Sequence, residues 1–223
     1  MSRENLVMKA SIGISKLLLI GCMLMSLTHL ARADTKPDQL EIAFLGDSIT
    51  AGYGLNPGEA FPELIAQKLQ EKGTSINLIN AGVSGDTTTG GLARLAWSIP
   101  DSVDGVVLEL GANDALRGIP VEQAEKNLDK IITQLKNRGI PVLLTGMRSP
   151  PNMGDQYETA FNNIYPKLAE KHDLLFYDFI LEGVAADPAL NQSDGIHPNP
   201  EGSKVIANNF FPVVEQFLAT LKQ

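Results

Sequence analysis

The sequence predicts an α/β fold, three layers deep, doubly wound around a parallel sheet of about five strands. Three observations carry that expectation. Apolar runs of strand length alternate with longer stretches whose apolar residues recur at helical spacing. Such alternation calls for right-handed crossovers, which place helices on both faces of a parallel sheet. Several apolar runs end in glycine and polar residues, as strands do at the ligand-binding edge of an open sheet.

Residues 41–45 make the first strand, which runs into Gly46-Asp47-Ser48. Residues 60–71 follow as a helix, with Leu64, Ile65 and Leu69 at helical spacing and Gly73 as its stop. Residues 76–80 are the second strand, and 87–95 a short helix after a polar turn. The third strand is 105–110, Gly-Val-Val-Leu-Glu-Leu. Residues 121–137 form a longer helix with Leu128, Ile131, Ile132 and Leu135 on one face, punctuated by Gly139 and Pro141. Residues 142–145 are the fourth strand, 157–171 a helix and 174–178 the fifth strand. The last helix covers 201–222, and Pro212 is expected to kink or divide it, since proline removes a helix hydrogen bond and clashes with the preceding turn. The outline is flavodoxin-like. The segment 182–200 breaks the rhythm, and loops of that length in compact domains are usually functional.

Residues 1–33 stand apart. Arg3, Lys9 and Lys16 form a basic leader, 17–30 is apolar apart from Ser26, Thr28 and His29, and Ala31-Arg32-Ala33 is a small-x-small site. This is the pattern of a signal peptide cleaved after Ala33, leaving 34–223 as one periplasmic or secreted domain. An uncleaved anchor is less suited, because the apolar run falls short of the ~20 residues a span needs. Leu19-Ile20-Gly21-Cys22 offers another reading, a lipoprotein anchored at Cys22 and brought into contact with a membrane surface. Against it, apolar residues continue beyond Cys22.

The 223-residue chain has 18 basic and 26 acidic residues, a net charge of −8; without the leader's four basic and one acidic residue it becomes −11. That balance and the lack of a basic stripe exclude a nucleic-acid partner. The single cysteine lies in the leader, so 34–223 has neither disulfide nor thiolate metal site.

Four polar clusters fall where strands end or in the late loop: Gly46-Asp47-Ser48, 80–87, Gly111-Ala112-Asn113-Asp114, and Asp194-Gly195-Ile196-His197-Pro198. In a parallel sheet those strand ends share one edge. Ser48 would sit near a helix N-terminus, where free N–H groups and the helix dipole favour negative charge. It suits a nucleophile, although Asp47 and Ser48 equally suit a helix cap. A nucleophilic serine needs a base. His172, between Lys171 and Asp173 at a helix end, reads as a solvated partner of the helix dipole. His197 lies three residues after Asp194, which can fix its tautomer and stabilise the imidazolium. An Asp-Gly turn closed by proline is the plainer reading of that stretch. Oxyanion donors would be the Ser48 N–H, the Gly85 N–H and the Asn113 amide; Gly85 and Asn113 would otherwise be ordinary loop and turn residues. Asp47 and Asp86 are read as holding loops through backbone hydrogen bonds.

Taken in order, Ser48, Gly85, Asn113, Asp194 and His197 resemble the blocks of the SGNH hydrolases, the GDSL esterase/lipase family. Gly-Asp-Ser-Ile-Thr is similar to its first block, 80–87 to its second, Gly-Ala-Asn-Asp to its third and Asp-Gly-Ile-His-Pro to its fifth. Leu92-Ala93-Arg94-Leu95, Leu116-Arg117-Gly118 and Ile164-Tyr165-Pro166-Lys167-Leu168 resemble the single-domain arylesterase, thioesterase I and lysophospholipase L1 group. Gly-Ala-Asn-Asp departs from the commoner Gly-Gly-Asn-Asp, which bears on the shape of the oxyanion loop. The resemblance implies the SGNH hydrolase fold and two-step acyl transfer through Ser48, His197 and Asp194, with no metal and no cofactor. The expected partner is a small-molecule ester or lipid, met by a monomer.

Leu116, Ile119, Met147, Pro150, Pro151 and Met153 fall in loops at the active edge and favour an apolar acyl chain, unless they serve loop packing. Two other readings compete. A carbohydrate O-acetylesterase on the same fold would want a shallow polar cleft. A non-enzymatic periplasmic binding protein would make the Ser/Asp/His set a coincidence.

Overall fold

The computed structural model describes residues 39–222. The expected signal peptide, its cleavage site after Ala33 and the lipidation candidate Cys22 lie outside the described residues.

Five parallel strands form one sheet: β1 (Leu40–Gly46), β2 (Ile76–Gly82), β3 (Gly105–Glu109), β4 (Val142–Thr145) and β5 (Leu175–Tyr177), in the spatial order β2-β1-β3-β4-β5. The central strands are apolar without alternation because helices cover both faces, and β3 and β4 are buried throughout. The edge strands β2 and β5 are mostly half-buried. From β1 the chain first goes outward to β2 and then crosses back to β3. The crevice between the ends of β1 and β3 is therefore the topological switch point, the place where open α/β sheets bind ligands.

The helices are α1 (Ser48–Ala51), α2 (Phe61–Glu71), α3 (Thr88–Ser98), α4 (Ala112–Leu116), α5 (Val121–Asn137), α6 (Asp155–Asn162), α7 (Ile164–His172) and α8 (Pro200–Leu221). Helix α2 packs on α8, while α3 and α7 pack on α5. Helix α5 buries Ala124, Leu128, Ile131, Ile132 and Leu135, one stripe of a 3.6-residue repeat, and leaves its charges outside. On the α2–α8 side an aromatic chain runs from Phe44 to Phe61 to Phe210 to Tyr177, with neighbouring rings 4.9–6.4 Å apart.

Two expectations about helices change. The stretch expected as one helix over 157–171 is two, α6 and α7. Pro166 has no N–H to offer the Asn162 carbonyl, so the ladder breaks ahead of it and the proline sits in the first turn of α7, where that donor is not needed. Asn163 keeps helical angles (φ −82°, ψ −7°), so the interruption lies in the hydrogen bonds more than in the path. Pro212 does not divide α8. Pro212 and Asn208, whose carbonyl it leaves free, both face solvent, where water can take that carbonyl, and buried Phe210, Phe211 and Val214 hold both sides of the step to the core.

Candidate active site

Strand β1 ends at Gly46, which sits opposite Gly82 of β2 and Glu109 of β3. A side chain at Gly46 would run into Thr50 and Glu109, so the close packing of this strand end requires glycine. The Gly46 carbonyl accepts from Val83 N–H (3.0 Å) and from Arg94 Nη2 (2.9 Å). Asp47 then caps α1, its Oδ1 accepting from Ile49 N–H at 3.0 Å. Ser48 is the first residue of that helix, so its own N–H has no acceptor within the helix.

Ser48 Oγ lies 2.9 Å from His197 Nε2, and His197 Nδ1 lies 2.7 Å from Asp194 Oδ2. The other Asp194 oxygen accepts from the backbone N–H groups of Ile196 (2.9 Å) and His197 (3.0 Å). The hydrogen bond to His197, with those backbone donors, lowers the Asp194 pKa to about 2, so this carboxylate is ionised whenever the imidazole is at work. Ser48 is 8% exposed. Serine, histidine and aspartate thus stand in one line, built from two segments distant in sequence.

Asn113, in the first turn of α4, donates through Nδ2 to the Asp86 carbonyl (2.9 Å) and reaches Asp47 Oδ2 at 3.4 Å. The turns after β1, β2 and β3 therefore meet at this one amide. Gly85 has φ +84°, a conformation that favours glycine, and its carbonyl accepts from Arg117 Nη2 at 2.9 Å. Asp86 pairs with buried Arg94 at 2.5 Å, so it does hold a loop, through a side chain instead of the backbone.

Against Asp47 and Thr50 lies a buried carboxyl, Glu109. Glu109 is 1% exposed; its Oε2 accepts from Thr50 Oγ1 (2.8 Å) and Asp47 N–H (3.3 Å), and its Oε1 has no partner among the described residues. Burial, and then the neighbouring Asp47 charge, push the Glu109 pKa well above the usual carboxylate range. Burial likewise raises Asp47 to about 6, against the lowering effects of Ile49 N–H, the His197 charge and the Asn113 amide. The available signal was one acidic residue inside the apolar run Val-Val-Leu-Glu-Leu. His172 sits in the last turn of α7 as expected, but instead of being solvated its Nε2 lies 2.6 Å from Asp129 Oδ1 on α5.

Beside the serine an open apolar groove of about 290 Å³ is lined by Leu116, Met147 and Pro150, together with Ile49, Phe179, Leu181 and Ile196. Ile119 and Met153, expected to line it, do not. The Pro151–Met153 stretch winds into a 3₁₀ turn, which brings the Met153 methyl beside Gly118, and the Ile119 carbonyl is held by Tyr157 Oη at 2.8 Å. Phe179 and Leu181 come from the turn that follows β5, and Ile196 from the long loop; neither segment has a periodicity that reveals its path.

The model of the GDSL-like lipase/acylhydrolase family matches residues 44–205, which include all five residues of the line and its surrounding donors. The chain belongs to the GDSL-like lipase/acylhydrolase family. An arylesterase of Vibrio mimicus is 42% identical over 168 residues, covering 75% of this chain and 84% of the relative. Thioesterase 1/protease 1/lysophospholipase L1 of Escherichia coli K12 is 41% identical over 179 residues, covering 80% and 82%. Among solved structures, the SGNH-hydrolase family esterase AlinE4 is similar at 43% identity with a TM-score of 0.68, covering 81% of this chain and 97% of that one. Membership of this family makes the chain a serine esterase acting on carboxylic esters, which replaces the binding-protein reading with an enzymatic one.

Proposed function

We propose that this GDSL-family esterase hydrolyses aryl esters and short to medium acyl esters by two-step acyl transfer at Ser48. The observation that carries the proposal is the line Ser48 Oγ, His197 Nε2, His197 Nδ1, Asp194 Oδ2, with contacts of 2.9 and 2.7 Å. His197 takes the Ser48 proton as Oγ attacks the ester carbonyl, and Asp194 stabilises the imidazolium that forms. The oxyanion is held by the N–H groups of Ser48 and Gly85 and by the Asn113 amide, whose long contact to Asp47 is the one an oxyanion would take over. The tetrahedral intermediate collapses, His197 passes its proton to the leaving alcohol, and water then repeats the cycle on the acyl-enzyme.

The apolar groove supports an acyl chain over a sugar, and so an esterase over a carbohydrate O-acetylesterase. The names of the Escherichia coli relative support extending the range to thioesters and lysophospholipids. The test is kcat/KM for p-nitrophenyl acetate, butyrate, octanoate and palmitate beside an acetylated xylo-oligosaccharide. Efficiency should rise from acetate into the medium chains, by up to about fourfold per methylene buried in the transition state, and then level off. If acetate were the best acyl group and the acetylated sugar the best substrate, the acyl-chain reading would be wrong.

A further inference from the structure

Tyr53 has no place in the mechanism above, yet it touches both halves of the site. Its ring packs against the His197 imidazole, with centroids 4.6 Å apart and planes tilted by 42°. Its N–H donates to the Ser48 carbonyl at 3.0 Å. Its carbonyl accepts from Gln192 Nε2 at 2.6 Å, and the same nitrogen donates to the Pro198 carbonyl at 2.9 Å. Gln192 N–H in turn donates to the His197 carbonyl at 2.7 Å. Among the described residues, the hydrogen bonds joining 47–54 to 191–199 are the Ser48–His197 contact and this Gln192–Tyr53 tie. Tyr53 Oη has no hydrogen bond among them, and the residue is 53% exposed, an unusual position for so large a ring.

We infer that Tyr53 is a positioning residue: its ring, on a backbone that Gln192 ties to the loop carrying the base, keeps His197 Nε2 aimed at Ser48 Oγ. The inference rests on the proposed Ser48–His197 mechanism and adds a member to it. The imidazole must accept a proton from one oxygen and deliver it to another without swinging out of line. Asp194 holds Nδ1 at one end, but its side chain is 39% exposed and open to competing water. An aromatic face against the ring blocks rotation out of the line and favours the positive charge that forms there. Asp194 and Asp47 are the acidic groups that also act on His197, and the variants below leave both in place.

The test compares Tyr53→Ala, Tyr53→Phe, Gln192→Ala and Ser48→Ala on p-nitrophenyl acetate, whose acyl group is too small to use the groove. Tyr53→Ala should lose roughly ten- to a hundredfold in kcat with KM little changed, because misplacing a reacting group slows the step without weakening binding. Tyr53→Phe should restore wild-type kinetics. Gln192→Ala, which keeps the ring but frees its anchor, should lose kcat in the same direction by less, and it serves if Tyr53→Ala does not fold. An unchanged kcat in both alanine variants would overturn the inference. So would a loss in Tyr53→Phe equal to that in Tyr53→Ala, which would assign the effect to the hydroxyl, or a change confined to KM, which would make Tyr53 a substrate contact. Hydrolysis persisting in Ser48→Ala would instead refute the mechanism on which the inference stands.

Discussion

Asn113 Nδ2 donates to Asp86 O at 2.9 Å and reaches Asp47 Oδ2 at 3.4 Å, so one amide lies where three strand-end turns meet. An amide held in place before the oxyanion forms costs no reorganisation when charge appears, and such donors act mainly on the transition state. Asn113→Ala should lower kcat roughly 10²–10³-fold with little change in KM, measured by steady-state hydrolysis of a p-nitrophenyl ester. A rise in KM with kcat intact would make Asn113 a substrate-binding group. Residues of this kind are legible in the sequence because polar side chains directly after apolar runs must lie at the strand ends. Glu109 and the Tyr53–Gln192 tie were not. Glu109 reads as part of a strand, and the tie joins positions 139 residues apart through a backbone carbonyl, which leaves no residue-type signature. His172 meets Asp129 for a similar reason, since the packing of α7 on α5 decides it.

At the scale of elements, the short helices α1 and α4 begin directly after β1 and β3, flanking the switch point. In α1 the Asp47 cap takes the Ile49 N–H, while the Ser48 N–H has no acceptor within the helix. Leu116 closes α4 as a wall of the groove and is 46% exposed, so a bound acyl chain would cover it. Leu116→Ser should lower kcat/KM for octanoate several-fold more than for acetate, because burial is worth ~0.8 kcal/mol per methylene and acetate buries almost none. Equal losses on the two esters would place the acyl chain elsewhere. Part of the groove's lining comes from the loop before α8. There Asn191 holds the carbonyls of Val184 (2.7 Å) and Asp187 (2.8 Å), and Asn191 and Pro198 form an isolated antiparallel bridge. Length marked that loop as functional, but its wall residues depend on side-chain-to-backbone bonds that follow no period. The break between α6 and α7 has a visible cause in Pro166, which lacks the N–H that an unbroken helix would need there.

Across the whole molecule the central strands were plain from sequence, because burial on both faces writes a continuous apolar run; helix ends and the half-buried edge strands were less so. The same burial gives the fold a pH dependence. Asp47 is raised from 3.8 to about 6 and Glu109 is raised well above its ordinary range, both chiefly by desolvation. A carboxyl with a raised folded-state pKa binds protons more tightly in the native chain, so it costs stability as pH rises from its unfolded value through its folded one. Asp194 acts in the opposite sense: lowered to about 2, its contribution is present above 3.8 and is lost as pH falls through about 2. From about pH 4, through the Asp47 value of about 6 and on toward the raised value of Glu109, the pair dominates, and the denaturation midpoint should fall with rising pH. Glu109→Gln, which keeps an acceptor for Thr50 and Asp47 N–H but cannot ionise, should show a smaller fall in urea titrations across that range. Parallel curves for the two proteins would mean that Glu109 does not carry the dependence.

The central claim is that Ser48 Oγ forms the acyl bond. It is tested most directly by treating the protein with a p-nitrophenyl phosphonate, which leaves a stable adduct on a nucleophilic serine, and locating that adduct by peptide mass spectrometry. The account predicts one adduct per chain, on the peptide containing Ser48, and none in Ser48→Ala, whose ester turnover should have fallen by far more than about tenfold, a barrier change of ~1.4 kcal/mol. An adduct on another residue, or Ser48→Ala turning over esters within about tenfold of wild type, would contradict it.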